Sequence, residues 1–66
     1  SATVTTPLGE AAIKLIYAGE TLLRITPEYE SCRALAAACD RPLPEVYRLV
    51  EQAANDTFFS APPQQG

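Results

Sequence analysis

Residues 10–25 read EAAIKLIYAGETLLRI, a run long enough for two strands and the turn between them. Successive side chains of an extended chain point to opposite faces. Over residues 10–17 that rule puts Ala11, Ile13, Leu15 and Tyr17 on one face and Glu10, Ala12, Lys14 and Ile16 on the other. One face is apolar and the other mixed, as expected of an antiparallel sheet covered on a single side. Ala18-Gly19-Glu20 supplies a turn, and residues 21–25 return as a second strand with Leu23 and Ile25 inward and Arg24 outward. The spacing predicts a β-hairpin.

Upstream, residues 1–6 are β-branched and polar and read as an extra extended segment, separated from the hairpin by a Pro7-Leu8-Gly9 turn. Downstream, Thr26-Pro27-Glu28 reads as a helix start. Thr26 can cap, Pro27 suits the first helical position, and Glu28 and Glu30 complement the positive end of the helix dipole. The helix is predicted to run to Cys39, with an apolar stripe of Tyr29, Cys32, Leu35, Ala36 and Cys39. Residues 40–44, DRPLP, break the chain because interior prolines cannot continue a helix. Pro44 opens a second helix whose buried face is Val46, Leu49, Val50 and Ala53, with Asn55 as its stop. The expected fold class is therefore α+β: a β-hairpin with an N-terminal extended segment, then two short antiparallel helices. Residues 1–56 form one small module and residues 57–66 a flexible tail, in which Phe58 and Phe59 are expected to dock on the body or on a partner.

A chain of 66 residues has little room for a core. Domains of this size bury only about 60% of the surface exposed on unfolding. The hydrophobic fraction is 47%, but much of it is alanine, so a partner surface is expected: a second copy of the chain or an upstream domain of the same protein. The formal charge is −3, with Lys+Arg 5 against Asp+Glu 8, which excludes the basic patch of a nucleic-acid or anionic-membrane binder. No apolar run approaches the roughly 20 residues of a membrane span, and no signal-peptide pattern opens the chain, so a cytoplasmic setting is expected. Cys32 and Cys39 lie seven residues apart within one predicted helix. That separates their α-carbons by about 10.5 Å, beyond the roughly 7 Å limit for a disulfide, so both read as free thiols. Histidine is absent, which removes the imidazole of the usual mixed zinc or nickel site and the commonest general base. No metal ligand set is assigned.

The chemically dense segment is residues 27–33, PEYESCR. Two readings fit it. The helix N-terminus with Arg33 could hold an anion, or the carboxylates of Glu28 and Glu30 a hard cation. Alternatively Glu28 and Glu30 satisfy the dipole, Tyr29 packs under the hairpin, and Arg33 pairs with Glu30 or Glu10. Lys14 and Arg24 on neighbouring strands could add positive charge nearby, or be ordinary solvated strand residues. Tyr47 and Arg48 read as packing and snorkelling.

The order of motifs goes further. Thr6-Pro7-Leu8-Gly9, a strand carrying Lys14, Pro27-Glu28-Tyr29-Glu30-x-Cys32-Arg33-x-Leu35-Ala36 and Pro42-Leu43-x-Glu45-Val46-Tyr47 together resemble the C-terminal end of the LarC family of nickel-insertion proteins. The resemblance covers about residues 4–54. It implies a parent enzyme that inserts nickel into a pyridinium-derived pincer cofactor in a CTP-dependent cyclometallation, with Mg or Mn accompanying the nucleotide. It also implies that Lys14, Glu28, Tyr29, Glu30 and Arg33 contribute to the metal–nucleotide site or its wall. Family members typically carry Arg where this chain has Ala12, and the acidic and His-rich upstream segments of the family have no counterpart here. The chain is accordingly expected to be a terminal piece that is not catalytic alone, with a non-catalytic assembly module as the alternative.

Overall fold

The computed structural model describes residues 2–59. Three strands, β1 (Ala2–Thr6), β2 (Gly9–Ala18) and β3 (Thr21–Pro27), form an antiparallel sheet in the order β1-β2-β3. Two helices follow, α1 (Tyr29–Cys39) and α2 (Leu43–Phe58). The N-terminal extended segment is a full partner in the sheet, with Val4 opposite Ala11 and Thr6 opposite Gly9. The fold is α+β, as the spacing predicts.

Each hairpin has a local cause. Between β1 and β2, the Thr6 hydroxyl donates to the Gly9 carbonyl (2.8 Å) and accepts from the Leu8 N–H (3.0 Å), so this buried polar side chain is satisfied. Gly9 has φ +133°, and a Cβ there would lie 3.3 Å from Leu35 Cδ1 of α1. Between β2 and β3, Gly19 takes φ +60° at the first central position of a two-residue loop, the requirement of a type II′ turn.

Beyond that turn the structure departs from strict alternation. Tyr17 pairs with Leu22 while Ile16 pairs with Arg24, so Leu23 is an extra residue in a β-bulge. Leu22, not Leu23, therefore packs against the core, and Leu23 is 57% exposed. Ile25 points inward as expected.

The first helix also starts later than the capping pattern suggests. Thr26 and Pro27 belong to β3, and Glu28 is the N-cap with extended dihedrals and no side-chain capping bond. The sheet holds the chain that far, because the Glu28 N–H donates to the Ala12 carbonyl (3.0 Å). The Ala12 N–H in turn donates to Ser31 Oγ (2.8 Å), so a helix side chain completes the β2 ladder where β3 has ended. With Ala12 bonded this way, the adjacent Ile13–Pro27 pair is a non-hydrogen-bonded one, and the missing proline N–H faces the open edge.

Helix α1 ends in a Schellman turn. Asp40 adopts the left-handed conformation (φ 55°), and the Arg41 N–H reaches back to the Ala36 carbonyl at 3.0 Å. Helix α2 runs past Asn55, whose carbonyl accepts the Phe59 N–H at 2.8 Å. Its last turn is supported by bonds from Gln52 to Asp56 and from the Thr57 hydroxyl to the Ala53 carbonyl. Phe58 and Phe59 stand 37% and 45% exposed. The remainder of the expected tail, residues 60–66, lies outside the described residues.

The core sits between one sheet face and the two helices. Val4, Ala11, Ile13 and Ile25 meet Cys32 and Ala36 of α1 and Val46, Val50 and Ala54 of α2. The α2 stripe thus steps by four residues, with Leu49 and Ala53 half-buried beside it. Cys32 and Cys39 are both free; Cys32 is fully buried, and burial pushes its thiol pKa up. The Cys39 thiol donates to the Leu8 carbonyl.

Candidate functional site

The sequence-derived candidates fall in three places. Lys14 lies on β2, on the face opposite the core, paired in register with Thr26. That face carries no helix among the described residues. It displays Thr3, Thr5, Glu10, Lys14 and Arg24, all exposed, around half-buried Ala12, Ile16 and Thr26. Because Ile16 is opposite Arg24 and Lys14 opposite Thr26, the two cations are diagonal cross-strand neighbours, with backbone positions about 7 Å apart. Neither takes part in an ion pair among the described residues, where the pairs are Arg33–Glu30 and Arg41–Glu45. The family resemblance points to Lys14 alone, and only the register brings Arg24 beside it.

Glu28 continues the β3 row. Its backbone bond to Ala12 sets it opposite that residue, one diagonal step from Lys14. Glu30 and Arg33 turn to solvent as an i,i+3 pair with N–O 2.8 Å and side chains 77% and 62% exposed. The hydrogen bond to Glu30, and then its charge, hold the Arg33 guanidinium above its ordinary pKa. Arg33 thus selects Glu30 over Glu10.

Tyr29 does not pack under the hairpin. It is the first residue of α1, 56% exposed, and it lines a cleft with Leu43, Pro44, Tyr47, Arg48 and Glu51 of α2. The cleft is a shallow depression, widely open to solvent, of about 520 Å³. A second hollow of about 310 Å³ adjoins it, sharing Tyr47 and Glu51 and bounded by residues 24–27 of β3. Tyr47 and Arg48, which the sequence reads as packing and snorkelling, line this cleft together with Glu51, which no sequence pattern singles out. Their i, i+1, i+4 spacing beside the Val46/Val50 stripe marks one flank of α2, but only the tertiary packing sets that flank beside β3 and Tyr29.

Among the described residues no group of three or more His, Cys, Asp or Glu side chains is placed to hold a metal ion. No helix among them is long and apolar enough to cross a membrane.

The model of the nickel insertion protein family matches residues 1–47. The chain belongs to this family. A curated relative from Syntrophotalea carbinolica, named for nickel insertion, is 58% identical over 55 residues, which is 83% of this chain and 14% of the relative. One from Geobacter metallireducens is 45% identical over 51 residues, 77% of this chain and 13% of the relative. The chain therefore spans about a seventh of the curated relatives it matches. Among solved structures, the apo form of LarC2 aligns with TM-score 0.73 and 30% identity over 82% of this chain and 37% of that one. LarC2 is described as the C-terminal domain of a cyclometallase involved in the synthesis of the NPN cofactor of lactate racemase. Sequence and fold together make this chain a LarC-type C-terminal region.

Proposed function

We propose that this region forms one wall of a metal–nucleotide site in a cytoplasmic nickel-insertion enzyme, and that it catalyses nothing by itself. The observation that supports the reading is the sheet face opposite the core, which carries no helix among the described residues and where Lys14 and Arg24 stand diagonally, without carboxylate partners among those residues, on either side of the Thr26 position. Two unpaired cations at that spacing suit adjacent phosphates of a nucleotide, and the family resemblance points to CTP. The residues also fit the accompanying cation. Mg²⁺ and similar ions are commonly held by one or two carboxylates plus substrate phosphates, and Glu28 lies in the same row. Tyr29, Glu30 and Arg33 follow Glu28 directly in the chain but lie on α1, Tyr29 toward α2 and Glu30 with Arg33 in a solvent-exposed pair, so a part for them in this site rests on the family resemblance. Nickel is then the cargo of the parent enzyme.

Calorimetric titration of the chain with CTP and Mn²⁺ tests this. Hydrogen bonds to charged groups contribute about 1.5–3 kcal/mol, so Lys14→Ala and Arg24→Ala should each weaken binding about tenfold or more. Arg33→Ala should cost less, because its guanidinium is already engaged by Glu30. Wild-type affinity in both the Lys14 and Arg24 variants would remove the assignment.

One observation favours an assembly role beside this one. Tyr17 and Leu23 are 54% and 57% exposed near the end of the β2–β3 hairpin, and an apolar pair there suits contact with a second copy or an upstream domain. A sedimentation profile showing only monomer at micromolar concentration would count against self-association.

A further inference from the structure

We infer that the open edge of β1 takes up a further strand from the rest of the parent polypeptide, and that Leu49 and Ala53 of α2 form the floor beneath that strand's side chains. This surface is separate from the nucleotide-site face, and the inference does not depend on that reading.

The sheet ends differently on its two sides. The β3 edge is guarded: Arg24 is exposed, Leu23 bulges, and Pro27 has no N–H to offer. Charge, bulges and proline are the devices that keep an edge from pairing. Strand β1 reads ATVTT, with no charge and no proline, and its register with β2 is unbroken. Alternation fixes which of its backbone groups point outward. Ala12 uses its N–H and carbonyl on the side of β3, so Ala11 and Ile13 use theirs toward β1, where Val4 and Ala2 stand opposite. The N–H and carbonyl of Thr3 and Thr5 therefore face away from β2, where β1 has no strand neighbour among the described residues.

Beside that edge lies an apolar row with little over it. Helix α2 commits Val46, Val50 and Ala54 to the core and leaves Leu49 and Ala53 half-buried. With Thr5 and Pro7 of the sheet, those two line an open-sided hollow of about 320 Å³. Its polar rim is already satisfied, because Gln52 donates to Asp56 and the Thr57 hydroxyl to the Ala53 carbonyl. The hollow suits aliphatic side chains. In a strand paired with β1, the residues opposite Ala2, Val4 and Thr6 point to the helix side, as those three do. On the outer side of β1 these are the non-hydrogen-bonded positions, where opposed side chains approach most closely. Apolar residues there would close over Leu49 and Ala53.

The extent of the chain indicates the occupant. It covers 37% of the LarC2 chain, itself a C-terminal domain, and 14% of the Syntrophotalea carbinolica relative. Most of such a domain therefore lies outside this region and needs a surface here on which to pack. A second copy is a poorer fit. Its β1 has spent its inward side chains on its own core, and its other edge carries the Leu23 bulge and Pro27. Neither strand brings uncommitted aliphatic side chains to the hollow.

Hydrogen exchange at the Thr3 and Thr5 amides, compared between this chain and the full-length parent protein, tests the inference. Both amides should exchange freely in the chain alone and about a hundredfold more slowly in the parent. Thr5→Pro removes one outward N–H that β2 does not use. It should leave the urea midpoint of this chain nearly unchanged and restore fast exchange at Thr3 in the parent. Leu49→Gln should speed Thr3 exchange in the parent from the helix side. Equally fast exchange in chain and parent overturns the inference, as does a Thr3 amide that stays protected in the parent's Thr5→Pro variant. Protection already present in the chain alone also overturns it, and protection that grows with concentration assigns the edge to a second copy instead.

Discussion

Replacing Ser31 by alanine should open the corner at which the sheet hands over to the first helix. The Ser31 hydroxyl accepts the Ala12 N–H at 2.8 Å, and the Glu28 N–H supplies the neighbouring bond to the Ala12 carbonyl. Alanine leaves the backbone path intact and deletes only the acceptor. A fully buried donor left without a partner costs about 1–3 kcal/mol, and at this part-buried corner the same range is an upper bound. Alanine is the better helix former by about 0.5 kcal/mol, which offsets part of that loss. The net destabilisation should therefore be at most about 0.5–2.5 kcal/mol. For a domain of this size that corresponds to a fall in Tm of roughly 4–8 °C per kcal/mol. Urea denaturation monitored by circular dichroism measures the total, and hydrogen exchange locates it. The Ala12 amide should lose protection more than the Ile13 amide beside it. An unchanged midpoint together with an unchanged Ala12 exchange rate would refute the view that this hydroxyl secures the corner.

Gly9→Ala should cost about 1–3 kcal/mol, since φ +133° is a region that L side chains rarely adopt, and the new methyl would also press on Leu35 Cδ1; thermal melts check this. The Arg41 hydrogen bond, with Arg41 and Arg48 charge, holds the Glu45 carboxyl below its ordinary pKa. Its stabilising contribution is therefore present above the ordinary carboxylate range and is lost as pH falls through the depressed folded value, so the urea midpoints of wild type and Arg41→Gln should converge in acid. Burial raises the Cys32 thiol pKa, so its contribution is complete below the unfolded cysteine value, about 8.5, and is lost as pH rises toward the folded one. Accordingly a thiol reagent at mildly alkaline pH should label Cys39 before Cys32, and equal rates would contradict the burial. Val50→Ala, at a fully buried site between the helices and the sheet, should cost about 2 kcal/mol in denaturant melts.

The elements were legible in the sequence wherever a local rule acts alone. Alternation over residues 10–17 gave β2, Gly19 gave its turn, and the proline-rich break gave the boundary between helices. The structure departs from the local pattern where a distant partner overrules it. Thr26 and Pro27 carry a sound capping pattern, but Ala12 and Ser31, far apart in sequence, keep that segment in the sheet. Leu23 fits a simple alternation with Ile25, and only the cross-strand register exposes it. The candidate site divides the same way. Glu28, Tyr29, Glu30 and Arg33 are neighbours in sequence and could be grouped from it, yet Glu30 and Arg33 neutralise each other at the surface while Tyr29 turns toward α2. Arg24, Tyr47 and Glu51 acquire meaning only when β3 and α2 are brought together.

The bulge at Leu23 has a consequence for how this hairpin can vary. Leu22 and Ile25 both serve the core although they are three residues apart, a spacing that plain alternation forbids. The extra residue absorbs the mismatch. Deleting Leu23 would leave Tyr17 opposite Leu22 and Ile16 opposite Arg24, with every inward side chain still inward. The strand thus contains a slack link, a position where the chain can lengthen or shorten by one residue and change the twist of the hairpin tip without rewriting the interior. Natural drift and deliberate redesign should find their freedom at the same joint.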